Sequence, residues 1–466
     1  MRKHVGMLLV ISIILSLSIG YSALNTDLSI SGEATVKKKV LYKEDILNGT
    51  DPVLKDELIP VIIEDDGTVR KANIYSEWYN YEKQRWANSV ILVNENSEYQ
   101  INDVIPESNI ESYFVWIPRY KYKIFDEGNY NGLTEVKQAE QTIEVIFENK
   151  DTLVSNGTKV GEWLTHPAFT SFDSNGMWVG KFETGTTLTS NYNVRNGNSV
   201  RIKPNIVAWQ NIQVANAFYS SYDYKRNLDS HMMKNTEWGA VAYLQHSIYG
   251  SRKKVRINNN SARITGYAAN NEPTCGYTAS NLVCNRYCSD GSCNSPYNTS
   301  VGYLASTTAN ISGIYDMSGG AWELVMNFMK SESGNMLIGY TVSSNSGFNG
   351  IYASNNTEKT DGLDIPNDNK YYDLYNYIAE NYQFYQRILG DATGELGPFG
   401  SKTYYNTERN VTSWYESRAG FIKSIMSTFT RGGSYGDGSY SSIFGINSDT
   451  GRAASNISFR IVLTPK

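Results

Sequence analysis

Gly313-Ile-Tyr-Asp-Met-Ser-Gly-Gly-Ala-Trp-Glu-Leu-Val325 is the stretch on which the reading of this chain turns. Ile314, Tyr315 and Met317 can pack inward from an extended segment. Ser318-Gly319-Gly320 then permits a tight turn, because glycine tolerates positive φ and lets another backbone come close. Ala321 to Val325 follows with an aromatic anchor, Trp322, and one carboxylate, Glu323, among apolar neighbours. A carboxylate in that setting needs a cation or several N–H donors.

Three further blocks read outward from it. Gly176-Met-Trp-Val-Gly-Lys-Phe-Glu-Thr184 and Asn235-Thr-Glu-Trp-Gly-Ala-Val-Ala-Tyr243 precede it, and Arg431-Gly-Gly-Ser-Tyr435 follows it, ahead of Asn456-Ile-Ser-Phe-Arg-Ile-Val-Leu463. Together they resemble the sulfatase-modifying-factor family, whose founding activity is the formylglycine-generating enzyme. That family carries G-[LI]-Y-D-M-x-G-N-x-W-E-W, then R-G-G-S-[WY] and a closing G-F-R strand. The resemblance covers roughly the last two thirds of the chain. It departs at Gly320, where Asn is usual, and at Leu324, where a second Trp is usual. It implies an α+β, C-type-lectin-like fold with short strands and much irregular loop.

The family's oxidases use a cysteine pair just beyond R-G-G-S-[WY]. Here those positions hold Asp437 and Ser442, and no cysteine lies beyond Cys293. A carboxylate and a hydroxyl do not replace a thiolate nucleophile or copper ligand, so the resemblance is expected to lack catalysis. The chain holds only His4, His166, His231 and His246. His166 and His231 read as structural rather than as ligands. There is no G-x-S-x-G elbow, H-E-x-x-H or phosphate loop. Asp361, Asp364 and Asp368 read as a solvated turn.

The resemblance also implies calcium at the turn after Met317. Its ligands would be the carbonyls of Ser318, Gly319 and Ala321 and the carboxylate of Glu323; oxygen-only ligation suits that ion. The alternative has Glu323 capping backbone N–H groups without metal. Between the C-terminal anchors the frame is apolar and glycyl, and the remaining positions are Tyr, Ser, Asn, Asp and Arg, contact residue types. This resembles the variable region of retroelement-diversified C-type-lectin-like proteins. The implied recognition face, within 431–460, is Tyr435, Asp437, Tyr440, Ser441, Ser442, Phe444, Asn447, Asp449 and Arg452.

The whole chain sets bounds. Its 466 residues suffice for two or three domains. Forty-two basic against 47 acidic residues give a net charge of −5, with no basic footprint for nucleic acid. The 35 Tyr and 38 Gly fit loop-rich recognition surfaces or a loop-rich β protein. Residues 1–23 read as a signal peptide, with an uncleaved membrane anchor as the alternative; Arg2, Lys3 and His4 precede an apolar run. The expected location is therefore extracellular, on a bacterial surface. Cys275, Cys284, Cys288 and Cys293 cluster in one loop. Export favours two disulfides there, with zinc as the alternative.

Along the chain, 24–50 reads as an extended stalk and 51–110 as a small aromatic β module. In the module, Ile59–Ile63 and 68–74 flank the Asp66-Gly67 hairpin signal, and Trp78, Tyr79, Tyr81 and Trp86 form a core or a sugar-gripping cluster. The main domain spans 111–466, with a cysteine-tied insertion over 258–310. Helices are expected over 232–244, capped by Asp229-Ser230, and over 370–389, where tyrosines recur near helical spacing. Three functions follow from these features: a surface protein binding an extracellular protein or glycan, a divergent family enzyme, or a filament subunit.

Overall fold

Ile110–Pro118 is buried along nearly its whole length, as a strand must be when it carries apolar side chains on both faces. In the computed structural model, which describes residues 48–124, 143–278, 281–284, 293–377, 388–393, 395, 414–415 and 417–466, it lies at the centre of a seven-stranded sheet. On one side come Asn88–Leu92, Ile59–Ile63 and Val69–Lys71. On the other come Gly176–Gly180, Ile461–Leu463 and His231–Met232. Trp116 stands opposite Trp178, their ring centroids 5.3 Å apart. Ile59–Ile63 pairs antiparallel with Val69–Lys71 across the Asp66-Gly67 turn.

The strands expected to build a separate module over 51–110 thus extend the main sheet. Their rings are core: Trp78 donates its indole N–H to the Val61 carbonyl at 3.1 Å, and Trp86 donates to that of Tyr249 at 2.8 Å.

A second sheet has the order Ile446–Asp449, Thr428–Arg431, Trp322–Leu324, Ile457–Phe459. Trp322–Leu324 runs antiparallel to Thr428–Arg431 and parallel to Ile457–Phe459. The chain crosses from this sheet to the first at Arg460. A third sheet of five short strands is built on Asn327–Lys330.

The helix Asn235–Gln245 is buried at every position. It begins later than expected, because His231–Met232 is a strand against Ile461–Val462. Its start is capped from within: Glu237 accepts the Lys234 N–H at 2.8 Å. Asp229 instead sits in a left-handed turn with φ 52°. The second expected helix is also corrected. Asn369–Tyr371 is a single 3-10 turn and Asp373–Asn376 a strand parallel to Asn327–Lys330. Tyr371, Asp373 and Tyr375 face inward at a period of two, and the Asp373 carboxylate accepts the Thr236 N–H at 2.7 Å. Residues 378–387, which the expectation also included, lie outside the described residues. The other well-formed helix is Val214–Tyr224. The described residues therefore make an α+β fold of many short strands, few helices and much irregular loop.

The insertion 258–310 is ordered by pairing of Tyr267–Ala269 with Asn294–Pro296. Cys275 and Cys293 are each engaged in a disulfide. Cys288 and the side chain of Cys284 lie outside the described residues, as do the signal segment 1–23 and most of the stalk 24–50. Among the described residues, no helix is long and apolar enough to cross a membrane.

Candidate functional site

Glu323 lies beneath the surface, and its two oxygens take Arg460 at 2.9 and 2.5 Å. The same guanidinium donates to the carbonyls of Gly180 at 2.8 Å and Tyr315 at 3.1 Å. Arg460 therefore ties both sheets to the Ile314–Met317 segment, at the point where the chain passes between them. Glu183 and Asp316 complete a buried acidic cluster. Glu183 accepts the Ala321 N–H at 2.9 Å, and Asp316 accepts Asn258 Nδ2 and the Gly266 N–H, both at 2.9 Å. Burial pushes the Glu183 carboxyl well up, and the neighbouring Glu323 and Asp316 push it further.

This arrangement fits a guanidinium rather than a calcium ion. Arg460 holds the Glu323 carboxylate, and the Ser318 carbonyl accepts the Asn258 N–H at 2.8 Å. Among the described residues, no group of three or more His, Cys, Asp or Glu is placed to hold a metal. Neither does Glu323 cap backbone N–H groups; its partner is the arginine. The departure at Gly320 has a local cause. A Cβ there would lie 2.4 Å from Glu183 Oε1, so the carboxylate fills the space a side chain would need.

Arg431-Gly-Gly-Ser434 serves the scaffold. The Arg431 side chain runs inward to Asn235 Oδ1 and the Asp391 carbonyl, both at 3.0 Å. Gly432 and Gly433 turn the chain with φ near +85° and +82°. A Cβ on Gly433 would meet Ser441 Oγ at 2.4 Å, so only glycine lets the two segments touch.

Above this frame, the face of the second sheet opens into a pocket of about 390 Å³. Its floor comes from four strands: Trp322 stands beside Ile457, and Thr430 opposite Asn447. Asp449 lies two residues along the same strand face. The walls are Arg263, Arg418, the turn Ser434–Asp437 and the segment from Arg452 to Asn456. The Arg263 guanidinium lies 4.9 Å from the Tyr435 ring and that of Arg418 lies 6.0 Å from the Trp322 ring. Such cation–π contacts hold a cation in place, and Arg418 is also paired with the Asp437 carboxylate at 3.4 Å.

Five residues of the expected recognition face meet in this pocket: Tyr435, Asp437, Asn447, Asp449 and Arg452. Asp437 is mostly buried, and its carboxylate caps the turn by accepting the Ser434 N–H at 2.9 Å and hydroxyl at 2.6 Å. Burial raises the Asp449 carboxyl, which also accepts the Gly451 N–H at 2.8 Å.

Three expected face residues point inward. Ser441 donates to the Ser434 carbonyl at 2.8 Å, Ser442 accepts the Phe444 N–H at 3.1 Å, and Phe444 packs on Trp414 at 4.7 Å. All three are fully buried. The segment makes a 3-10 turn at Gly438–Tyr440, and its serines close the turn. Tyr440 is half-buried and does not line the pocket.

Sequence reasoning missed Arg263 and Arg418, which arrive from distant loops. Their only local sign is a lone arginine in each polar stretch. The four cysteines belong to the insertion, whose Cys275 N–H donates to Ser439 Oγ at 3.1 Å behind the pocket turn.

His166 and His231 are both buried and hydrogen-bonded within the frame. His166 is buried, with Nδ1 accepting the Ala168 N–H at 3.3 Å, and burial holds its pKa down at about 3. His231 lies between the Asp229 carbonyl at 2.8 Å and Glu237 at 3.0 Å, stacked on Phe172.

No protein-family model and no curated protein matches the chain. Among solved structures, it is similar to a chain described as the Major Tropism Determinant I1 Variant, at 10% sequence identity and a TM-score of 0.26, across 91% of this chain and 88% of that one.

Proposed function

We propose that this is an exported bacterial cell-surface protein that binds an extracellular ligand in the pocket between Trp322, Tyr435, Asn447 and Arg452. In this reading the domain is a C-type-lectin-like relative of the formylglycine-generating enzymes that has lost their chemistry, and the 431–460 segment is a replaceable contact surface. One observation carries the proposal. Scattered polar and aromatic residues of that segment converge in one concave site, while its arginine, glycines and Phe444 lie in the frame beneath. Binding sites are commonly concave, with a few polar groups held by a rigid scaffold.

The test is a binding screen of the exported protein against cell surfaces, repeated with Tyr435, Asn447, Asp449 and Arg452 changed together to Ala. Exposed or half-exposed positions such as these should each cost less than about 0.5 kcal/mol of stability. The variant should fold and lose binding, with Tyr435 the largest single contributor. A folded quadruple variant that binds like the parent removes the pocket from the mechanism.

A further inference from the structure

The charged groups of the pocket are unevenly available. Three guanidiniums, of Arg263, Arg418 and Arg452, share it with two carboxylates. The Asp437 carboxylate is engaged by the Ser434 N–H and hydroxyl and by Arg418 Nη1 at 3.4 Å, and the half-buried Asp449, beside Arg452, accepts the Gly451 N–H, so guanidiniums outnumber carboxylates by one. Arg263 donates one N–H to Gln210 Oε1 at 3.0 Å, while its Nε is buried with no hydrogen-bond partner among the described residues. A buried donor left unpaired is costly, so Arg263 lines the pocket with part of its hydrogen-bonding capacity unused.

The rest of the pocket narrows the choice of acceptor. Its uncharged polar groups are amides and hydroxyls, notably Asn447 and Thr430, and only Ile457 and Ala454 are aliphatic. The faces of Trp322 and Tyr435 are already met by guanidiniums, so the rings position cations. The sheet edges nearby are covered as well. The Gly420 N–H donates to the Ile446 carbonyl at 2.8 Å, and the Thr184 N–H donates to that of Phe459 at 3.1 Å. Among the described residues, each edge is thus met by another segment, which disfavours addition of a peptide strand there.

We infer that the pocket takes a carboxylate-bearing sugar, its carboxylate held by the Arg263, Arg418 and Arg452 guanidiniums and its hydroxyls by Asn447 and Thr430. Planar guanidinium forks match carboxylates in geometry and give charge-assisted hydrogen bonds. The inference rests on the pocket being the recognition site, and it adds the chemical class of what enters.

Calorimetry and saturation-transfer NMR on the full exported chain test it. The probes are D-glucuronate, N-acetylneuraminate, the methyl ester of glucuronate, glucose, acetate and a glutamate-rich hexapeptide. At least one carboxylated sugar should bind at millimolar concentration or below. The ester and glucose should bind roughly 10-fold more weakly or worse, since a charged hydrogen bond is lost. Acetate should also be weaker, and added salt should weaken the acid alone. Arg452→Gln, at an exposed position, should cost about 10-fold for the acid and leave the melting temperature unchanged. Arg418→Gln gives an independent second reading. Equal binding of ester and acid, acetate matching the sugars, the peptide exceeding every sugar, or no sugar binding at all overturns the inference. If the sugars fail while cell-surface binding still depends on the four pocket residues, the pocket reading survives and only the acid-sugar class falls. If cell-surface binding ignores those residues, both fall.

Discussion

Glu395 shows how a single buried acid sets a pH dependence in this fold. Its carboxylate accepts the hydroxyls of Tyr122 and Tyr243 and the Gly390 N–H, the last at 3.0 Å. Burial holds its pKa up at about 7 against an ordinary 4.5, with the two hydroxyls pulling down and Asp391 pushing up. Between those values the folded chain keeps a proton that the unfolded chain has released. The unfolded state then binds fewer protons, so stability falls as pH climbs through that window. Glu395→Gln removes this term. The unfolding free energy of the parent should exceed that of the variant most below about pH 4.5, and the gap should narrow by at most about 3 kcal/mol above about pH 7. Burial of His166 opposes this trend at acid pH in both proteins and cancels in the comparison. Urea titrations at several pH values measure the gap, and a gap constant with pH would sink the assignment.

The helix Asn235–Gln245 carries the clearest packing prediction at the scale of an element. A Cβ on Gly239 would lie 1.9 Å from the Gly390 carbonyl oxygen, which is backbone and cannot rotate away. Alanine would gain about 1 kcal/mol of helix propensity, but overpacking costs about 1–3 kcal/mol and sometimes more. Gly239→Ala should therefore destabilise in urea melts, and an unchanged midpoint would mean that the 388–391 segment yields. Some elements were legible because their chemistry is local. Asp66-Gly67 dictates a hairpin, alternation in Tyr120–Lys123 dictates a half-buried strand, and Gly432-Gly433 dictates a turn. Over 370–377 a 3-10 turn and a strand replace the expected helix because tyrosines spaced by four fit a helix and also every second residue of a strand; Asp373, which faces inward to cap another helix, breaks the tie. At the site, Tyr435, Asn447, Asp449 and Arg452 could be picked by residue type. Ser441, Ser442 and Phe444 could not be separated from them, since a 3-10 turn decides which side chains face out. Arg263 and Arg418 were invisible because only long-range folding brings them to Tyr435 and Trp322.

For the whole molecule, the path of the last ten residues decides how it unfolds. Ile457–Phe459 completes the pocket sheet beside Trp322–Leu324, and Ile461–Leu463 fills the gap between His231–Met232 and Gly176–Gly180 in the large sheet. Arg460, between them, is buried on Glu323 and on carbonyls of two other segments. Removing 457–466 strips a strand from each sheet and leaves Glu323 buried without its cation, a loss of about 3–5 kcal/mol from the ion pair alone. The N-terminal strands are bound into the same unit. Asn88–Leu92 pairs with Ile110–Pro118 along its length, the Trp86 N–H donates to Ser312 Oγ at 2.9 Å, and Trp86 Nε1 reaches Tyr249. A chain cross-tied in this way should melt in one step, although two-state behaviour is usual only for smaller domains. Tryptophan fluorescence and backbone circular dichroism should give coincident urea transitions for the full chain. The 457–466 deletion should show no cooperative transition, and a 48–110 fragment should remain unfolded, because its Trp86 partners and the strand that flanks Asn88–Leu92 lie outside it. Two resolved transitions, with a folded 48–110 fragment accounting for one, would restore an independent N-terminal module and detach it from the pocket.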